Sequence, residues 1–195
     1  MSSSRVGTWL ATRPLSRLAL DIAATTTFAA VTALGARVQF HLPFTPVPVT
    51  GQVFCVLLAG GVLGARLGFV SQVQYLAAGA AGMPVFAHGG GLHYLLGPTG
   101  GYLLAFPVAA FAVGALCRIL GDRGLRAMAA ALAGVVVIHV LGACWYGVWV
   151  TAVSGNADLT AVLSQAVLPF IALDVGKAAI AAAVFATARR RLPFA

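Results

Sequence analysis

The sequence predicts an all-α, polytopic membrane protein of six transmembrane helices. Three observations carry that prediction. The chain is 61% hydrophobic with a mean hydropathy of +0.97. Charged residues make up 8%, against about 25% in ordinary soluble domains. Apolar runs reach membrane-spanning length and do not alternate polar with apolar, so they read as helices and not as barrel strands. The 195 residues read as a single integral membrane domain: 1–17 an N-terminal segment, 18–188 a six-helix bundle, 189–195 a basic tail.

Net charge is +8. In a soluble chain that balance would suggest nucleic acid. Here the arginines cluster between apolar runs and read as topology signals. Met1 to Pro14 is polar and lacks an apolar h-region, so no cleavable signal peptide is expected. Cys55, Cys117 and Cys144 are scattered singly in apolar surroundings and read as small core residues.

The first span is Leu18 to Arg37. Its small residues pair four apart, Ala19 with Ala23 and Ala29 with Ala33, which allows close approach of a neighbouring helix. A partner-docking face is expected there, against the alternative of ordinary alanine abundance. Residues 39–50 contain Pro43, Pro46 and Pro48, which forbid a helix and favour an extended outer loop. The second span, Gln52 to Leu63, leads through a turn at Gly64 to Gly68 into the third, Leu67 to Ala81. Both are short for a bilayer of ~30 Å. Residues 82–101 hold seven glycines and cannot form a regular span. Irregular backbone near membrane depth is tolerated where it is buried in protein or lines a cavity. The fourth span is Tyr102 to Leu120 and the fifth Met128 to Val153, separated by an arginine-rich loop. Ser154 to Ser164 reads as a polar loop, and the sixth span is Pro169 to Ala188.

Six spans put both termini on one side. With the N-terminus in the cytoplasm, Arg5, Arg13, Arg17, Arg66, Arg118, Arg123, Arg126 and Arg189 to Arg191 all lie inside, and Arg37 alone lies outside. That asymmetry predicts cytoplasmic termini. It also gathers the proline loop, the glycine-rich segment and the start of the sixth span on the outer side.

The sixth span holds an acid, Asp174, and the chain's one lysine, Lys177. Three apart on a helix, they share a face. Asp174 falls ~7.5 Å below the outer end of its helix, and Lys177 ~4.5 Å deeper. Ionisable groups at membrane depth are costly and usually functional. The alternative is an ion pair that only locks helix packing. Around them, the backbone at Gly89, Gly90 and Gly101 could offer N–H groups and close approach. Gln52, His93 and Thr99 could add polar contacts, and Tyr94, Tyr102, Phe86, Phe44 and Trp145 flat apolar walls. Such a lining suits a small, amphipathic, partly anionic molecule. His88 and His93 have no Cys or Glu nearby, so no metal site is expected. His139, in mid-helix, reads as a hydrogen-bonded core histidine. No Walker motif, nucleophile elbow or HExxH occurs, so no catalytic residue, cofactor or ATP hydrolysis is expected of this chain.

Two other functional classes compete on these residues alone. A small integral-membrane enzyme could use Asp174 and Lys177 as acid and base, but it lacks the second carboxylate or metal set such enzymes need. A channel would need a polar stripe through the bundle, which the fourth and fifth spans lack.

Four motifs resemble one family: Pro43-Phe-Thr-Pro-Val-Pro-Val-Thr-Gly-Gln52, Gly82-Met-Pro-Val-Phe-Ala87, the Gly-Pro-Thr-Gly-Gly-Tyr block at 97–102, and Asp174-x-x-Lys177. They look like the BioY family, the biotin-specific substrate-capture (S) components of energy-coupling-factor (ECF) transporters, in the family's order and over most of the chain. The resemblance implies a six-helix S-component fold in the cytoplasmic membrane and biotin bound near the outer face by Asp174 and Lys177. It also implies a transmembrane coupling (T) component and a pair of ATPases as partners, with ATP used only by those partners. His88 and His93 depart from the pattern expected of their segment.

Overall fold

A computed structural model describes residues 15–156 and 158–188. The expected N-terminal segment up to residue 14 and the basic tail lie outside the described residues. The chain opens with α1, Leu15–Arg37. The proline-rich stretch is non-helical as expected, but it turns and bends between its two ends, which pair as an antiparallel ribbon, β1 (Gln39–Phe40) with β2 (Val49–Thr50). Arg37 donates to the Pro84 carbonyl, and Gln39 Nε2 donates to the Ala87 carbonyl at 2.9 Å. Those two bonds tie the end of α1 and the ribbon to the start of the glycine-rich segment.

The second and third spans form one kinked element, α2, Gln52–Ala80. The break falls at Gly64, whose φ of 79° and ψ of 177° only glycine adopts without strain. The two arms fold back on each other. A Cβ at Gly68 would lie 2.9 Å from the Gly60 Cα, so the arms touch backbone to backbone where glycines remove the side chains. Among the described residues five helical stretches are long and apolar enough to cross a membrane, α2 and the stretch Leu159–Ala188 among them. Because α2 is a hairpin, the bundle contains six helical arms. Its arms are ~18 and ~24 Å long at 1.5 Å per residue, shorter than a bilayer core, as the sequence suggests.

After the glycine-rich segment, with its single turn α3 (Leu92–Leu95), come α4 (Gly100–Leu120) and α5 (Gly124–Ser154). α1 packs along α2. α2 packs on α4 and α7, and α5 on α4 and α7. One expectation is corrected here. Part of the loop assigned to Ser154–Ser164 is helical: α6, Leu159–Ala166, starts at an Asp158 cap whose carboxylate accepts from the Ala161 N–H at 3.3 Å. Its eight residues are too few to show a helical period, and the cap gives the only local sign. The helix stops at Val167, where φ is −126°, and α7 resumes at Leu168–Ala188. Tyr102 donates to the Ala166 carbonyl, and Tyr146 to Gln165 Oε1 at 2.7 Å, so two tyrosines hold this joint.

Two apolar clusters fill the bundle. One gathers Val49, Val56, Tyr75, Phe86, Phe106 and Phe170 near the ribbon; the other gathers Leu57, Val113, Ala131, Ala178 and Phe185. Cys55 and Cys117 are buried as expected, whereas Cys144 is exposed on α5. The alanine pairs of α1 divide. Ala29 and Ala33 are half-buried against the ribbon-side cluster, while Ala19 and Ala23 are exposed.

Candidate functional site

Helix α7 positions the two charged groups. Asp174 is buried at 3% exposure, and one turn on, Lys177 reaches back so that its Nζ donates to Asp174 Oδ1 at 2.7 Å. The other carboxylate oxygen, Oδ2, lies 3.0 Å from His139 Nε2 of α5. The carboxylate is thus held from two sides by two helices.

The pair faces a narrow cavity of about 50 Å3 that opens to solvent at its mouth. Its walls come from the beginnings of α2, α4 and α7, the middle of α5, and the two irregular segments. Val47, Val49, Val53, Leu103, Phe106, Ile138 and Phe170 make it apolar. Gln52, Thr50, Tyr94, Thr99, Tyr102, His139, Asp174 and Lys177 supply polar groups. Gln52 enters already fixed: its Nε2 donates to the Tyr75 hydroxyl at 2.5 Å, and that hydroxyl donates to the Val85 carbonyl at 3.2 Å. Tyr94 packs on buried Phe86 with ring centroids 5.2 Å apart. Burial pushes the Tyr94 hydroxyl above its usual pKa, opposed by hydrogen bonding to Thr99 and at His88. It therefore stays a neutral donor or acceptor.

Of the residues expected at the site, Asp174, Lys177, Gln52, Tyr94, Thr99 and Tyr102 line the cavity. Gly89, Gly90, His93 and Gly101 are not among its lining residues, and packing explains two of the four. A Cβ on Gly101 would lie 2.1 Å from the Trp145 Cβ, so that glycine seats α4 against α5. A Cβ on Gly90 would lie 2.1 Å from the Met83 carbonyl oxygen. His93 is exposed with its ring over Gly91. Phe86 is buried behind Tyr94, Trp145 donates to the Gly97 carbonyl at 2.9 Å, and Phe44 is exposed. Sequence reasoning misses the wall formed by Val47 to Thr50, which it takes for outer loop. It also misses Phe106, Ile138 and Phe170, which no local pattern separates from ordinary core. His139 is hydrogen-bonded as expected, but its partner is Asp174, 35 positions away. Among the described residues no group of three His, Cys, Asp or Glu side chains gathers to hold a metal ion.

Fold and site together define a multi-pass helical membrane protein with a small-molecule pocket around a buried ionic centre at one end of its bundle. A family model described as the BioY family matches residues 7–194, and this chain belongs to that family. It is 42% identical over 164 residues to the "Probable biotin transporter BioY" of Pyrococcus horikoshii, covering 84% of this chain and 92% of that one. It is 35% identical over 158 residues to the "Biotin transporter BioY" of Thermotoga maritima, covering 80% and 88%. Among solved structures, it resembles the S-component for biotin from an ECF-type ABC transporter, with a TM-score of 0.81 and 25% identity, covering 94% of this chain and 97% of that one.

Proposed function

We propose that this chain captures biotin at the outer face of the cytoplasmic membrane as the substrate-binding subunit of a biotin importer. The observation that carries the reading is the Asp174–Lys177 pair facing an apolar cavity in a chain of the BioY family.

The chemistry fits the ligand. Biotin's ureido ring carries two N–H donors and one carbonyl acceptor, and its thioether ring and valeryl chain are apolar. A carboxylate accepts from N–H groups and an ammonium donates to a carbonyl or carboxylate. Asp174 and Lys177 thus match the ureido ring or the ligand's own carboxylate. Val49, Phe106, Ile138 and Phe170 match the thioether ring and chain. A site that pairs buried polar groups rejects analogues lacking them far more strongly than an apolar pocket does.

Transport needs partners in this reading: a transmembrane T component and a pair of ATPases, which alone use ATP. This reading asks for no cofactor in the chain itself, and the relatives are named as biotin transporters. Exposed Ala19 and Ala23 on α1 are the proposed docking positions, and the arginine asymmetry argues for cytoplasmic termini. The test is titration of detergent-purified protein with biotin and with other vitamins, read by melting temperature and by equilibrium binding. Biotin should raise the melting temperature in a saturable way; no stabilisation by biotin at any concentration would refute the assignment.

A further inference from the structure

His139 stands at a position where its own helix asks for an apolar residue. Its buried neighbours on α5 are Val135, Ile138 and Gly142, and the rings nearest it are Tyr102 and Phe170, with centroids 6.5 and 6.4 Å away. A buried imidazole is costly unless its nitrogens are satisfied. Only one of them is. Nε2 meets Asp174 Oδ2 at 3.0 Å, while Nδ1 is buried and has no hydrogen-bond partner among the described residues. Among the described residues the single hydrogen-bonded contact of this ring is therefore with Asp174.

Asp174 needs such a partner. Lys177 approaches Oδ1 from the same helix by a long, flexible side chain that is 19% exposed. One such contact leaves a carboxylate free to turn about its last torsion, which is broad for Asp. A second donor on a different helix fixes the plane of the carboxylate and thereby the direction of its remaining lone pairs into the cavity. The imidazole tautomer that can do this carries its proton on Nε2.

We propose that His139 is a positioning residue of the ligand site: it holds Asp174 in the orientation that receives the donor groups of the ligand. This rests on the reading that Asp174 binds biotin. It adds a cross-bundle clamp between α5 and α7, so that the acid's direction is set by helix packing as well as by Lys177.

The experiment compares His139→Gln, His139→Phe, His139→Met and His139→Asn, with melting temperature and biotin affinity measured on each purified protein. The Gln amide nitrogen reaches the place of Nε2 and can donate to Asp174; the Asn amide falls near Nδ1 and cannot. His139→Gln should keep affinity within about threefold of the parent, whereas Phe, Met and Asn should each lose about tenfold, the size of one charge-assisted hydrogen bond. In the Asp174→Asn background, the loss caused by His139→Phe should shrink to within about twofold, because a residue acting through Asp174 has nothing left to position. A parent protein that does not bind biotin would remove the underlying reading instead. Parental biotin binding with equal affinity in the Gln, Phe and Met proteins overturns the proposal, as does an undiminished loss in the Asp174→Asn background. If the apolar variants do not fold, the Gln and Asn pair decides: equal affinities for the two overturn it.

Discussion

Gln52 and Tyr75 stand 23 positions apart in one continuous helical element, yet the Gln52 amide donates to the Tyr75 hydroxyl at 2.5 Å. A straight helix would separate them by ~35 Å. The contact exists because Gly64 reverses the chain, and it links that reversal to the cavity beside Asp174, which Gln52 lines. Gly64→Ala should therefore act at a distance. Forcing a side chain into that backbone region costs on the order of 1–3 kcal/mol. The melting temperature should fall, and biotin binding should weaken as Gln52 loses its register with Tyr75. A Gly64→Ala protein with parental stability would show that the reversal does not need glycine.

The charged pair makes a second prediction. Asp174→Asn keeps the shape of the acid but weakens it as an acceptor and leaves Lys177 without its counter-ion. Truncating one partner of a buried charge pair typically costs ~2–5 kcal/mol. At about 1.4 kcal/mol per decade, biotin affinity should fall at least about tenfold. Lys177→Met should do likewise. The double replacement removes both charges and should melt higher than either single variant while still binding poorly. A pair kept only for packing gives another pattern, in which the double variant regains stability and binding together. Calorimetry and biotin titration on the four proteins separate the two.

Topology is checked by labelling. Cysteines placed at Ser3 and at Ala195, in a background where exposed Cys144 is replaced, should react with impermeant reagents only from the cytoplasmic side, because of the arginine asymmetry. Labelling of either from outside contradicts the proposed orientation.

The alanines of α1 should separate into two behaviours. Ala19→Leu and Ala23→Leu change an exposed face and should weaken co-purification with a T component while leaving biotin affinity unchanged. Ala33→Leu pushes into the ribbon-side core and should cost the ~1–3 kcal/mol of stability typical of overpacking, read as a lower melting temperature. Equal effects of all three on stability would mean that the outer pair is packed internally too.

The sequence by itself determined that this is a helical membrane protein, roughly where its spans run, and that Asp174 and Lys177 are its costly pair. Those facts are local. A hydrophobic run of spanning length, a proline cluster or a charge inside a span can each be read from neighbouring residues. The break at Gly64 was legible for the same reason, since glycine marks it directly. Only the tertiary structure decided which groups meet. His139 reaches Asp174 across 35 positions, and Val47 to Thr50 fold from an apparent outer loop into a cavity wall. Gly90 and Gly101, which look like ligand-approach glycines, serve close packing against Met83 and Trp145. Contacts of that kind depend on how helices cross and rotate, and an alanine-rich, apolar chain presents nearly the same face in every direction until its neighbours are in place.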